Sequence, residues 1–344
     1  MALPRWKVWL KRAVKAAVAV LVLWAVGRHV SRNWHDIRQH DVALRVQPGW
    51  LVASGFLYLA GLCCSGRFYG GVLQASSTPI GMAPAVRAYL ISHLGKYVPG
   101  KAMVVIMRAG LSVPYGTRAA TAAIATFYET LVMMTAGGLV AGLGFALAGR
   151  SPAVDVSLPG WGRQSLPIYL LAGVLGLGLG LAFLAVVLPP VFRGLALLFS
   201  TPFPRVGPEA LPRFTGRLLV AGILWSTGSW VFLGSSQLAV AQAFLPPGQT
   251  AGPSLLPVVT ASVALATVAG FVVAVLPGGL GVREGVLMVA LGPSLGQGQA
   301  VVAALTLRLV WVAAEVLAAA VLMPLGARYR REVNLEAQAS TNLP

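Results

Sequence analysis

Three carboxylates stand where an ionised carboxylate is disfavoured. Glu129, Glu284 and Glu315 lie within or beside long apolar runs and are three of only nine acidic residues in the chain. A charge near the bilayer centre costs roughly 2.5–3.5 kcal/mol on insertion scales, so each must be paired, hydrated or peripheral. Arg308 precedes Glu315 by seven residues, two helical turns on nearly the same face, so its expected partner is on another helix: Glu129 or Glu284. With Arg108 and Arg283, these residues are expected to form one connected polar cluster. Two readings fit it. One is an ion-pair network that only holds helices together; the other is a polar path for a lipid head group through the apolar core.

A second constellation is cationic. His93, Lys96, Lys101 and Arg108 flank a Pro99-Gly100 break, a spacing that suits an anionic phosphate near the inner leaflet. It equally suits a cluster of hydrated positive-inside loop residues. A second break, Pro277-Gly278-Gly279 with Gly281, is followed directly by Arg283 and Glu284. Non-helical backbone at membrane depth is tolerated only where protein or a water-filled cavity satisfies it. Both breaks are therefore expected inside the bundle as broken or re-entrant elements, near enough to each other to be cross-linked.

Signatures of soluble chemistry are sparse. The sequence has no Walker A loop, no GxSxG elbow and no HExxH. The run Gly278-Gly279-Leu280-Gly281 is too apolar in context for a dinucleotide. Cys63 and Cys64 are adjacent in an apolar stretch, which gives neither a disulfide framework nor a structural metal site, and both read as small packing residues. No cofactor, metal or catalytic residue is expected.

The elements that must position these groups are membrane helices. Hydrophobic residues make up 57% of the chain and charged residues 10%, whereas soluble proteins carry about 25% charged residues, so an ordinary soluble enzyme is excluded. Runs near the roughly 20 residues needed to span a bilayer core occur at Ala13–Val30, Trp50–Gly66, Arg118–Leu147, Leu166–Leu188, Arg217–Phe244, Leu255–Leu276 and Ala300–Met323. A shorter apolar piece, Val282–Leu291, precedes the last. The first run lacks a small-residue cleavage site and reads as a retained helix. Arg118–Leu147 is longer than the core and must tilt or protrude. The segment Ala83–Leu111 is expected to re-enter from the inner side. The fold class is thus all-α and polytopic, with about eight transmembrane helices if Val282–Leu291 crosses.

Charge sets the orientation. The net charge of +17 needs no nucleic-acid partner, because basic residues collect in cytoplasmic loops. With an inner N-terminus, the proposed inner segments hold 19 Lys and Arg and the outer ones 5; Arg28 and Arg308 complete the 26. Both termini are then cytoplasmic, in the inner membrane. Residues 1–12 form a basic cytoplasmic arm, 13–324 the membrane domain, and 325–344 are expected to be a disordered cytoplasmic tail. Trp6, Trp9, Trp24, Trp34, Trp50 and Trp161 read as interfacial anchors.

The two breaks have similar surroundings. Each Pro-Gly is followed by an arginine and then by a helix carrying a glutamate, 30 residues on for Glu129 and 38 for Glu315. In the eight-span topology those helices run in opposite directions, as an inverted repeat requires. Chance recurrence in a chain with 40 glycines and 23 prolines gives the same pattern.

The ordered motifs His93-Leu94-Gly95-Lys96-Tyr97-Val98-Pro99-Gly100-Lys101, Arg108, Phe127-Tyr128-Glu129 and Leu276-Pro277-Gly278-Gly279-Leu280-Gly281-Val282-Arg283-Glu284 resemble the transmembrane family of lysylphosphatidylglycerol synthases. That family includes the flippase-like half of the multiple peptide resistance factor, and the similarity runs from about residue 10 to 328. The resemblance implies lipid translocation or head-group handling. Full-length synthases of the family add a soluble aminoacyl-transferase domain, which these 344 residues do not contain, so lipid aminoacylation by this chain alone is not expected. The expected function is that of a lipid flippase for phosphate-bearing lipids, phospholipid or polyprenyl. Its expected partners are membrane lipids with anionic head groups. The alternative is an accessory or scaffold subunit for a lipid-modifying or glycosyl-transferring enzyme. Oligomeric state is not legible.

Overall fold

A computed structural model describes residues 46–98, 102–149, 151–158, 162–200, 211–245, 251–273 and 281–341. The first described helix, α1 (Pro48–Gln74), starts with proline in its first turn, where a missing N–H is tolerated. The Gln47 backbone N–H donates to the Ala243 carbonyl and its side-chain amide to the Leu245 carbonyl, both at 2.9 Å. These bonds tie the start of α1 to the end of a later helix.

The chain continues through α2 (Met82–Ser92), a tight 3₁₀ turn (His93–Tyr97), α3 (Ala102–Ser112) and α4 (Ala119–Leu147). A two-stranded antiparallel hairpin follows, β1 (Ala153–Leu158) paired with β2 (Gly162–Pro167), with Ala153 opposite Pro167. Sequence patterning in membrane-helix windows did not anticipate this small element. Then come α5 (Ile168–Val187), α6 (Pro189–Ser200), α7 (Gly216–Ala243), α8 (Leu256–Val272), α9 (Val282–Leu295) and α10 (Gln297–Thr341).

Six of these helices are long and apolar enough to cross a membrane: α1, α4, α5, α7, α8 with the short turn before it, and α10 as far as Leu325. They fall on the six long runs expected after residue 46, and the protein is an all-α, multi-pass membrane protein. The expected span Ala13–Val30 lies outside the described residues. The short piece at Val282 extends to Leu295, but 14 residues rise only about 21 Å against a core of roughly 30 Å. Six is therefore the number of full-length spans among the described residues. Helix α10 runs on past residue 325 to Thr341, in keeping with the helix-forming Glu, Leu, Ala and Gln of that segment.

Small residues hold the bundle together, as they must where lipid removes the hydrophobic drive between helices. A Cβ added at Gly138 of α4 would lie 2.4 Å from Cα of Gly180 on α5, so this contact requires backbone against backbone. Serines join α1 to α7: Ser54 to Ser236 at 2.8 Å, and Ser229 to the Gly61 carbonyl at 2.8 Å. The enclosed centre is α8 and the span of α10, each with 61% of its most apolar window buried, against 22% for α5 at the periphery.

The segment expected to re-enter consists of two helices of 11 residues, α2 and α3, each about half a core thickness. They are folded back on each other beside the 3₁₀ turn. Gly95 makes that approach feasible, since a Cβ there would lie 2.9 Å from the backbone nitrogen of Val104. Pro99, Gly100 and Lys101, and likewise Pro277, Gly278 and Gly279, lie outside the described residues, as does the expected approach of the two breaks. Gly281 is described, with a φ of 81° that favours glycine, immediately before α9.

Candidate functional site

The intramembrane charges fall into two groups of contacts. In the first, Arg108 on α3 pairs with Glu129 on α4 at 2.9 Å, and both are about 1% exposed. Tyr89 of α2 donates to the other carboxylate oxygen of Glu129 at 3.0 Å. Arg108 Nε donates to Ser92 Oγ at 3.0 Å, and its guanidinium lies 4.0 Å from the Tyr89 ring centre. Tyr69 of α1 closes another side, 5.2 Å from the guanidinium, and is bonded to Ser112 at 3.1 Å. Both charges are thus saturated by protein.

The second group lies where the 3₁₀ turn, α8, α9 and α10 meet. Lys96 is ion-paired with Glu315, which also accepts the hydroxyl proton of Tyr58; Lys96 in turn donates to that hydroxyl oxygen at 3.1 Å. Arg308 pairs with Glu284, so of the two partners expected for it the structure has Glu284. Glu284 also accepts the Gly281 backbone N–H at 2.8 Å, capping α9 with its other oxygen. Arg283 donates to Thr267 on α8 at 2.6 Å and lies 5.8 Å over the ring of Trp311. Trp311 stacks on Tyr58 at 4.4 Å and donates its ring N–H to Ser236 at 3.0 Å, which fixes the aromatic wall.

These residues line a cleft. Lys96, Arg283, Glu284 and Arg308 face it together with Thr267 and Trp311. The volume in which a water's centre can lie is about 20 Å³, enough for roughly one water and too little for a lipid head group. The described conformation is closed.

Of the residues singled out from the sequence, Arg108 and Glu129 come together, as do Lys96, Arg283, Glu284, Arg308 and Glu315 in the second group. His93 stands between the groups, its ring 5.2 Å from that of Tyr89, and its buried Nδ1 has no hydrogen-bond partner among the described residues. Of the two arginine-then-glutamate successions that follow the breaks, the first is an ion pair, Arg108 with Glu129; in the second, Glu315 is held by Lys96 and Arg283 bonds to Thr267.

Sequence reasoning missed the tyrosines. Tyr58 and Tyr69 belong to a buried stripe with Ser54 and Ser65 on α1, spaced by four, seven and four residues on one helix face. That hydroxyl periodicity was visible; charge counting passed over it. Cys63 is exposed on the same helix, where a packing role was expected, because it points away from this stripe. Trp50, at 44% exposure near the start of α1, is the one interfacial-anchor candidate inside the described residues. No three His, Cys, Asp or Glu side chains gather as metal ligands among the described residues.

A family model described as the lysylphosphatidylglycerol synthase TM region matches residues 12–319. The chain belongs to that family. The match takes in every helix from α1 to α9, most of the span of α10 and both charge groups. Among curated proteins nothing matches the chain. Membership in the synthase TM-region family ties the bundle to membrane-lipid work and leaves the lipid unspecified.

Proposed function

We propose that the protein is a lipid translocase of the cytoplasmic membrane that moves phosphate-bearing lipids, both termini facing the cytoplasm. The observation that carries this reading is the cleft at the second charge group. Three cationic side chains face it, from the 3₁₀ turn, the half-length α9 and a central span, and the other buried charges among the described residues, Arg108 and Glu129, are paired with each other. Cations at the bilayer interior favour an anionic head group, while tails remain in lipid beside the bundle. The closed state seals the cleft with ion pairs between elements, the arrangement an alternating route needs at one end of its cycle. The orientation rests on the bias of 19 inner to 5 outer basic residues.

Reconstitution of the full chain into liposomes with fluorescent lipids of differing head groups tests it. Accelerated movement of phosphate-bearing lipids, with no effect on a neutral diacylglycerol, is the expected result. No acceleration for any lipid, from protein that is folded and correctly inserted, overturns translocation and favours an accessory role beside a lipid-modifying enzyme. Reporter fusions that place residue 344 outside the cell overturn the orientation.

A further inference from the structure

We infer that the cleft between Lys96 and Arg283 is a subsite for a singly charged phosphodiester, entered by partner exchange at Lys96; its assignment to a lipid rests on the translocation reading above. Among the described residues, Lys96, Arg283 and Arg308 set three positive charges against the carboxylates of Glu284 and Glu315, leaving one positive charge. The neighbouring Arg108–Glu129 pair cancels itself. The imidazole of His93 adds no charge at neutral pH. A surplus charge enclosed among membrane helices requires a counter-charge of equal size. A phosphodiester brings one negative charge and closes the count. A phosphomonoester brings about 1.5–2 and overshoots, and a diphosphate overshoots further.

The contacts divide the labour among the three cations. Arg308 is committed to Glu284, which is itself committed to the start of α9. Arg283 is bonded to a neutral hydroxyl, and its guanidinium has five donors, so it retains capacity for an oxyanion. Lys96 is the exchangeable member of its pair: its side chain is 20% exposed while that of Glu315 is wholly buried. When Lys96 turns to a phosphate, Glu315 still accepts from Tyr58 and is not left bare. The Lys96–Glu315 pair also ties the 3₁₀ turn to α10, so the exchange that admits the phosphate releases the element that closes the cleft. Binding and opening become one event.

The test is equilibrium binding of radiolabelled lipids to the full chain in maltoside micelles, which contain no phosphate of their own. Phosphatidylglycerol, a diester of one charge, is expected to bind about tenfold tighter than phosphatidic acid, a monoester. Glu315→Gln raises the cleft by one positive charge and should reverse that preference. Arg283→Gln, which leaves the Lys96 pair intact, should weaken phosphatidylglycerol about tenfold. A Glu315→Gln variant that alters both lipids equally, or an Arg283→Gln variant that binds like wild type, overturns the subsite. The tail-less diester glycerophosphoglycerol is the second arm. Competition as strong as that of phosphatidylglycerol overturns the lipid assignment in favour of a free phosphodiester; weak competition supports it. Charge-selective binding without movement in liposomes removes the translocation reading and keeps the subsite; movement without charge selection does the reverse.

Discussion

Two buried ion-pair regions in one bundle, within a few helical turns of each other, have been built to opposite specifications. Around Arg108 and Glu129 the side chains are 2% and 1% exposed, every charged group meets a protein donor or acceptor, and two tyrosine rings cover the guanidinium. In the second region Lys96, Glu284 and Arg308 line a cleft and retain 9–20% side-chain exposure, while Glu315, the partner of Lys96, is wholly buried behind it. The first region joins neighbours in sequence, α2, α3 and α4. The second also joins sequence neighbours, α9 and α10, through Glu284 and Arg308, but adds a pair 219 residues apart, Lys96 to Glu315. Local, saturated pairing folds a hairpin onto its neighbour. The long-range pair, Lys96 with Glu315, ties the 3₁₀ turn to the last span at the edge of a cleft.

Removing one partner of the sealed pair gives the largest expected effect. Arg108→Ala or Glu129→Ala leaves a buried charge uncompensated, at about 3–5 kcal/mol. Thermal unfolding in detergent should show a large loss of stability or failure to accumulate. The double change Arg108→Met with Glu129→Leu removes both charges at similar volume and should restore much of it. If the double variant is folded yet inactive in lipid movement, this region acts in transport as well, and the contrast breaks.

In the cleft the same chemistry should separate stability from activity. Lys96→Gln or Glu315→Gln keeps shape and much of the hydrogen bonding, so the fold should survive while lipid movement falls about tenfold or more, as expected for losing a charge-assisted contact. Variants that fold and move lipid at the wild-type rate make these residues helix glue, like their counterparts near α4.

How far the sequence led depends on which of these regions is asked about. Apolar runs locate the six described spans to within a few residues at most ends, because bilayer thickness dictates helix length; α1 is the exception, running on from Gly66 through Arg67 to Gln74. Arg108 and Glu129 flank one turn, yet the sequence offers Glu129 to Arg308 and joins it to Arg108 only through the expected six-residue cluster. The Lys96–Glu315 pair was not legible, since nothing local to residue 96 encodes a partner on the last span. Nor was the division into two groups, which the tyrosines create: Tyr89 completes Glu129, and Tyr58 completes Glu315. Neutral aromatics in an apolar run carry no hydropathy signal, and only the spacing of hydroxyls along α1 marks them.

Those two tyrosines allow one chemical change to be made in both regions. Tyr89→Phe deletes a donor from a sealed carboxylate, and hydrogen bonds to charged groups contribute about 1.5–3 kcal/mol. Unfolding measurements should register it clearly. Tyr58→Phe deletes a donor from Glu315, which keeps Lys96, so the stability change should be the smaller of the two, while lipid movement slows because Glu315 then has one donor fewer whenever Lys96 departs. Equal stability losses with no change in transport would erase the distinction between the regions.

The smallest effect is expected at the boundary. His93 touches Tyr89 of the sealed region and precedes Lys96 by three residues, yet its buried Nδ1 finds no hydrogen-bond partner among the described residues. A buried polar atom without a partner is a standing destabilisation, and its removal in a side chain of similar shape is near neutral or favourable. His93→Phe keeps a ring against Tyr89 and removes the nitrogen. If His93 only fills space between the regions, unfolding should shift by less than about 1 kcal/mol and transport should persist. If its nitrogen receives a water or a phosphate oxygen when the cleft opens, stability will be unchanged and lipid movement will fall. That outcome would extend the cleft to residue 93 and move the line between the two regions one helical turn towards Arg108.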